Sequence, residues 1–285
     1  MSYKLSRRLY ILQMLLLFAA CEEKKTPTQE LELVIGAISY EQGRQTLERF
    51  TRFRQYLGNK TGAIIQLEPT FNENKALERV KHQAWSLVFA PPGLAALAQA
   101  NYQYEPIFPL EIDVNSYFVF IVSKDSPLQQ LKDLQGTTVA LGMRGSATGY
   151  YFPLYNLYGL TLAEILFAPT PTTVFEWVAQ GKASAGAVSL KEFNLYRNKL
   201  DGVEFRILFT DPQNVPPGAV LIAPNIDKNS QQLIRNYMTN APPSVIQEVG
   251  YVPNGKIPDY RYMISVVKRV TSIVPRLDAS PVRLF

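Results

Sequence analysis

The stretch whose residue types and spacing could do chemistry is Leu141-Gly142-Met143-Arg144-Gly145-Ser146-Ala147-Thr148-Gly149-Tyr150. It follows a strand-like run and opens a helix-like one. Its glycines let a ligand approach the backbone closely. The first turn of a helix presents amide N–H groups with no partner inside the helix, together with the positive end of the helix dipole. The hydroxyls of Ser146 and Thr148 add neutral donors, so the combination suits the oxygens of a phosphate or phosphonate. Ser146 acting only as a helix N-cap fits the same pattern.

Little else in the chain can carry chemistry. The one histidine, His82, sits in a helical pattern between Lys81 and Gln83 and reads as a surface or capping residue. No His/Cys/Asp grouping has metal-ligand spacing, and no nucleophile elbow, P-loop or dinucleotide fingerprint is present. No acidic pair stands out as an acid–base couple, so neither a catalytic residue nor a metal or cofactor is expected. The one cysteine, Cys21, follows Lys4, Arg7, Arg8, the apolar run Leu9–Phe18 and Ala19-Ala20. About ten apolar residues are too few to span a bilayer, which takes roughly 20. A positive front, a short apolar run and small residues before a cleavage point mark an exported precursor. A cysteine at that point is the lipoprotein pattern. Residues 1–20 are therefore expected to be a signal peptide, Cys21 the lipidated first residue of the mature chain, and 21–30 a polar tether. Removing Lys4, Arg7 and Arg8 from the 29 basic residues leaves 26 against 24 acidic ones. Basic residues are scattered, and nucleic acid is excluded as a partner.

The elements that must position the 141–150 stretch follow from hydrophobic period. Strand-like runs fall at Leu31–Ile38, Ala63–Leu67, Ser86–Ala90, Pro106–Ile112, Tyr117–Ser123 and Thr137–Leu141, then near Ile165–Ala168, Ala185–Val188, Phe205–Phe209 and Ala219–Ala223. Helical spacing appears between them: Leu47, Phe50, Phe53 and Leu57 share one face, Asn72 can cap a helix carrying Ala76, Leu77 and Val80, and a helix is expected from about Thr148 to Tyr158. Strands alternating with helices imply parallel sheets covered by helices. No close internal repeat is visible. Two α/β lobes are expected, 31–114 with 217–285 and 115–216, joined by crossings near Asn115 and Val215.

These stretches together resemble the phosphate/phosphite/phosphonate solute-binding family of ABC importers, of the type II periplasmic-binding fold. Lys124-Asp125-Ser126-Pro127-Leu128 with Asp133-Leu134-Gln135-Gly136 is similar to the family's Asp-Ser-Pro-Ile and Asp-Leu-Lys-Gly run. Ser146-Ala147-Thr148-Gly149 stands where the family has Ser-Thr-Ser-Gly, the loop that holds the phosphonate oxygens. Gly181 to Val188 resembles its Gly-x-x-Asp-Ala-Gly-Ala-Val stretch. The likeness runs from about Leu31 to Tyr260. It implies a two-lobed α/β fold, each lobe a mostly parallel sheet flanked by helices, with two hinge crossings. It also implies a ligand set of Ser146, Thr148, the Ala147 amide and Tyr117, with Phe71 and Phe89 either as pocket aromatics or as core. The family's histidine is replaced by Pro171 and its aspartate by Ser184; Glu192 is the nearest acid to grip an aminoalkyl tail, or else a solvated helix charge.

The resemblance further implies no enzymatic activity: a monomer at the periplasmic side of a membrane, held by lipid on Cys21, would close on a small oxyanion and present it to an ABC permease. A sensor of the same fold and a diverged binder with another small ligand are the alternatives. Intact-mass measurement of membrane-extracted protein should show loss of residues 1–20 and a gain of acyl mass. A mature chain beginning after Cys21 would overturn the anchor. Two acyl chains suffice for stable attachment at about 0.8 kcal/mol per buried methylene.

Overall fold

The computed structural model describes residues 32–38, 47–70, 73–111, 117–200 and 202–285; residues 1–30, where a signal segment, Cys21 and a tether were expected, and Phe71, Asn72 and Asn115 lie outside them. Five strands and three helices alternate first: β1 (Glu32–Ile38), α1 (Thr51–Thr61), β2 (Ile64–Thr70), α2 (Glu73–Lys81), β3 (Leu87–Ala90), α3 (Pro92–Tyr102), β4 (Glu105–Pro109) and, after the first crossing, β5 (Phe118–Ser123). The second lobe continues with β6 (Thr138–Leu141), a π-helical turn (Ala147–Tyr151) running into α4 (Phe152–Asn156), β7 (Thr161–Leu162), β8 (Glu164–Phe167), α5 (Pro171–Ala179), β9 (Ala185–Ser189), α6 (Leu190–Tyr196) and β10 (Phe205–Thr210). The chain then returns through β11 (Ala219–Ile222), α7 (Lys228–Thr239), α8 (Pro243–Val249), α9 (Arg261–Ile273) and β12 (Val282–Arg283).

One sheet has the order β2-β1-β3-β11-β4, and the other, read from its far edge, β8-β6-β9-β5-β10. The two orders are the same, a repeat of topology without a repeat of sequence. In each sheet one strand runs against the rest: β11 is antiparallel to β3 and β4, and β5 to β9 and β10. These are the strands that enter from the other lobe, so both sheets are mixed and the two-lobed α/β class expected from sequence is the one observed. No helix among the described residues is long and apolar enough to cross a membrane.

Strand alternation sorts side chains between cores. Leu87, Phe89, Val220 and Ile222 join Phe53, Leu57 and Tyr251 on one side of the first sheet. Val119, Ile121, Val174 and Phe175 form the equivalent core of the second. The intervening residues, Val88, Ala90, Phe118, Phe120 and Leu221, belong to a third core that both lobes share. Helix α9 fills its middle with Met263, Val266, Val267 and Val270, all buried. The end of the chain departs from the expected boundary. Residues 217–285 were expected to pack with the first lobe, but β12 pairs antiparallel with β7 of the second, Val282 opposite Leu162. Apolar Val282 and Leu284 are fully buried there, which draws the strand across.

The second crossing, Asp211 to Gly218, is pinned at both ends. Asp211, 2% exposed, accepts from the Gln213 amide at 2.8 Å and the Asn156 side chain at 2.6 Å. At the other end the Tyr260 hydroxyl donates to the Pro217 carbonyl at 2.7 Å, and the Leu110 amide of the first crossing donates to the Gly218 carbonyl at 2.9 Å. Burial raises the pKa of Tyr260, so its proton stays in this bond at any ordinary pH. Tyr260→Phe should lower unfolding stability by about 1–3 kcal/mol, because it strands the Pro217 carbonyl; a urea titration reads the loss.

Candidate functional site

The 141–150 stretch leaves the end of β6 and turns back at Ser146, whose amide donates to the Met143 carbonyl at 3.1 Å. Gly145 has φ +96, a left-handed value that favours glycine, and a Cβ on it would overlap the carboxylate of Glu73, which is buried at the start of α2. Arg144 points elsewhere: its guanidinium lies 4.1 Å over the Phe167 ring and pairs with Asp278.

The expected helix from Thr148 to Tyr158 is split, and the reason is local. Pro153 has no N–H to offer the Gly149 carbonyl, which an α-helix would require. That carbonyl instead accepts from the Gly142 amide at 2.8 Å, closing the loop at its neck. The first turn widens to a π turn in which Tyr151 donates to the Ser146 carbonyl and Phe152 to that of Ala147. Ser146 caps the turn, its hydroxyl accepting from the Gly149 amide at 3.1 Å. The amides of Ala147 and Thr148 have no acceptor within the turn. Behind them Tyr150 and Tyr151 are buried. Burial, then the Glu73 charge, raises the pKa of Tyr151 and keeps its ring neutral.

Ser146, Ala147 and Thr148 line a cleft of about 590 Å³ between the lobes. The other walls are also places where a strand gives way to a helix. Pro91 and Pro92 follow β3, Thr170 and Pro171 follow β8, and Ser189 with Lys191 follows β9. Thr170 caps α5 by accepting from the Thr173 amide at 3.2 Å. Ser189 and Glu192 form a reciprocal capping box on α6: the Ser189 amide donates to the Glu192 carboxylate at 2.7 Å, and the Glu192 amide donates to the Ser189 hydroxyl at 3.1 Å. Four helix or turn N-termini thus face one space, and their dipoles favour an anion there. Val215 and Pro216 of the second crossing form the back wall, and Glu111 of the first crossing also reaches the cleft.

The remaining sequence-derived candidates are placed as follows. Tyr117 is half-buried one residue before β5; its carbonyl accepts from the Leu190 amide at 2.8 Å, which sets it beside the start of α6 without making it one of the residues lining the cleft. Phe89 packs edge-on against Phe50 and Phe53, ring centres 4.8 and 5.5 Å away, and does not line the cleft. The cause is the strand's two-residue period, which sends Ala90 to the shared core and Phe89 to the opposite one. Phe71 lies outside the described residues. Ser184 is exposed at the start of β9, the end away from the cleft, so aspartate's absence there removes nothing from the cleft wall. Glu192 does line the cleft, with its carboxylate engaged by the α6 cap. Sequence reading did not single out Thr170, Ser189 or Lys191. The signal was available, since each stands where a strand ends and a helix starts, the place where open α/β sheets bind ligands.

Two lobes around a cleft reached by several helix N-termini are the architecture of a two-lobed periplasmic-type binding protein. The chain belongs to the ABC transporter phosphonate periplasmic substrate-binding protein family, whose profile matches residues 35–255. That family carries solutes to transporters and is not enzymatic. Comparison with curated protein sequences finds no match. Among solved structures the chain is similar to XAC2383 from Xanthomonas citri bound to chloride, at 20% identity, TM-score 0.70, with 85% of this chain and 99% of that one covered. PhnD1 from Prochlorococcus marinus in complex with methylphosphonate gives 16% identity and TM-score 0.65 over 85% and 99%. A binding component of a phosphonate ABC transporter from Pseudomonas aeruginosa gives 13% and 0.60 over 87% and 88%. At these identities the likeness establishes the shared fold.

Ser146→Ala should cost about 1 kcal/mol in a denaturant melt, since it removes the acceptor of the Gly149 amide. An unchanged midpoint would mean that the cap does not hold the turn.

Proposed function

We propose that this chain is an extracytoplasmic solute-binding protein, lipid-anchored through Cys21, that captures a phosphonate, phosphite or phosphate-like oxyanion and delivers it to an ABC importer. The observation that carries the reading is that Ala147 and Thr148, at the start of the π turn, line a cleft that other helix starts also reach. Neutral donors and helix dipoles aimed at one point can hold an oxyanion without a buried cation. Lys191, at the start of α6 beside the same turn, is the one cationic side chain among the described cleft residues and would reinforce the same field. Membership of a phosphonate-binding transport family supports the ligand class and the permease as partner.

The mechanism that fits is domain closure, with the crossings as hinges. An anion entering the cleft meets the donors of the second lobe first. Closure then brings up Pro91 and Pro92 of the first lobe and excludes water, which strengthens every bond to the anion. The closed face is what the permease would read.

A phosphonate at about 100 times its dissociation constant should stabilise the mature chain by about 2.7 kcal/mol, seen as a rise in melting temperature. Thr148→Ala should lower affinity about 10- to 150-fold by calorimetric titration, the worth of one hydrogen bond to a charged group. Tyr117→Phe tests the hinge tyrosine in the same assay. If only a sugar or an amino acid raised the melting temperature, or Thr148→Ala kept full affinity, the oxyanion reading would fall.

A further inference from the structure

The exposed aromatic side chains are not scattered over the surface. Among the described residues the exposed aromatics are Tyr158, Tyr262 and Phe285, and all three share one face. Arg269 of α9 links the tyrosines. Its guanidinium lies 4.9 Å from the centre of the Tyr158 ring and 5.3 Å from that of Tyr155, and the Tyr155 and Tyr262 ring centres are 6.0 Å apart. Phe285 adjoins Tyr158, because the Gly159 amide donates to the Leu284 carbonyl at 2.8 Å. Arg283 is exposed between buried Val282 and Leu284, as Phe285 is beyond them. Single exposed apolar residues are ordinary, whereas a cluster marks a contact surface.

The charge on this face has one dominant sign. Residues 91–104, 145–163, 260–277 and 279–285 supply α3, α4, α9 and β12, and they contain no Asp or Glu. Most acids that flank them are paired: Glu105 with Arg235, Asp259 with Arg261 and Asp278 with Arg144. Glu164, exposed at the start of β8, is the exception. Against it stand Lys268, Arg269 and Arg283, all exposed and none in an ion pair among the described residues. Arg276 is engaged by the Phe285 carbonyl.

The face also has a defined place. α4 runs back from the π turn at the cleft, so Tyr158 just beyond it sits at the far edge of the second sheet, where β12 pairs with β7. β1 is parallel to β3, which ends at the cleft, so Glu32 begins the first sheet at its far edge as well. Ten residues, 22–31, separate Glu32 from Cys21, a length that spans at most about 35 Å. A lipid on Cys21 would therefore keep this end of the protein close to a bilayer.

We propose that the α9–β12 face rests on an anionic membrane surface, with Tyr158, Tyr262 and Phe285 at headgroup level and Lys268, Arg269 and Arg283 against the lipid phosphates. Tyrosine rings suit that level, being apolar in body and polar at the tip. The negative surface potential attracts cations placed beside it, and a basic patch reinforces an acyl anchor. The proposal rests on the lipid-anchored reading above. Contact through this face leaves the cleft open to solvent and the lobes free to close.

The mature chain carrying Cys21→Ala takes no lipid, so its binding to vesicles reads the face alone, while intact-mass measurement of the native protein tests the anchor separately. Co-sedimentation at low salt should show binding to phosphatidylglycerol vesicles and none to phosphatidylcholine vesicles. About 1 M salt, where the Debye length is about 3 Å, should abolish it. Lys268→Ala with Arg283→Ala should weaken binding about 30-fold, about five-fold for each cation. Arg52→Ala with Lys60→Ala, exposed cations on α1 across the first sheet from α3, should leave it unchanged. Absence of binding to phosphatidylglycerol, or equal binding to both lipids, would overturn the proposal. So would an equal loss in the α1 pair, since net charge rather than this face would then be acting. A concentration-dependent dimer that the Lys268 and Arg283 changes abolish would assign the face to a second copy of the chain and overturn it too.

Discussion

A strand that hands over to a helix must do so at its carboxyl end, and when several such units lie parallel in one sheet, all their helix N-termini gather at one edge. That constraint governs this protein. β3, β6, β8 and β9 each end at the cleft, and each is followed there by a helix or turn start. The positive ends of those backbone dipoles then add up in one place without a side chain being needed to create the field. A cleft so built favours anions before any particular residue is chosen. The residues at the strand ends, Thr148, Thr170 and Ser189 among them, only refine which donors are offered and where.

The Ala147–Tyr151 turn shows how a local rule shapes such an edge. Pro153 withholds one N–H, and the freed Gly149 carbonyl ties back to Gly142. The turn widens, and Ser146 spends its hydroxyl on the Gly149 amide. In the proposed site the donors left for a ligand would be the Ala147 and Thr148 amides and the Thr148 hydroxyl, with the Ser146 hydroxyl still able to donate its own proton while it accepts from Gly149. Glu73 bears on the far side of the same turn through Gly145. A carboxylate of the first lobe thus props the 141–150 loop of the second, without being one of the described residues that line the cleft.

The lobes are joined by more than their crossings. One apolar core extends from α2 and α3 through α9 to the Phe118–Val122 strand and to Phe152 and Leu154. Beyond α9 the chain carries on into the second lobe and pairs there as β12. A motion that keeps this core intact has to pivot about the face where α9 lies and open at the cleft, with the pinned crossing from Asp211 to Gly218 bending between its two anchors. In the proposed closure, the hydrogen bonds of Asp211 and Tyr260 would set where that bending starts and stops.

Sequence by itself determined the element types, the two-lobed α/β class and the strand-to-helix turn at 141–150, because all of these are written in local period and residue type. Strand positions were legible to within a few residues for the same reason. What tertiary structure decided was which of those elements share a space. Phe89 looked as fit for a pocket as for a core, and the choice fell to its side of a strand whose neighbours, Phe50 and Phe53, lie far away along the chain. Ser184 and Ser189 bound the same short strand, yet only Ser189 reaches the cleft. The end of the chain crossed to the second lobe because the apolar partners of Val282 and Leu284 wait there, about 120 residues back in sequence. Local pattern tells a segment what it is; only packing against distant segments tells it which face it turns to a ligand.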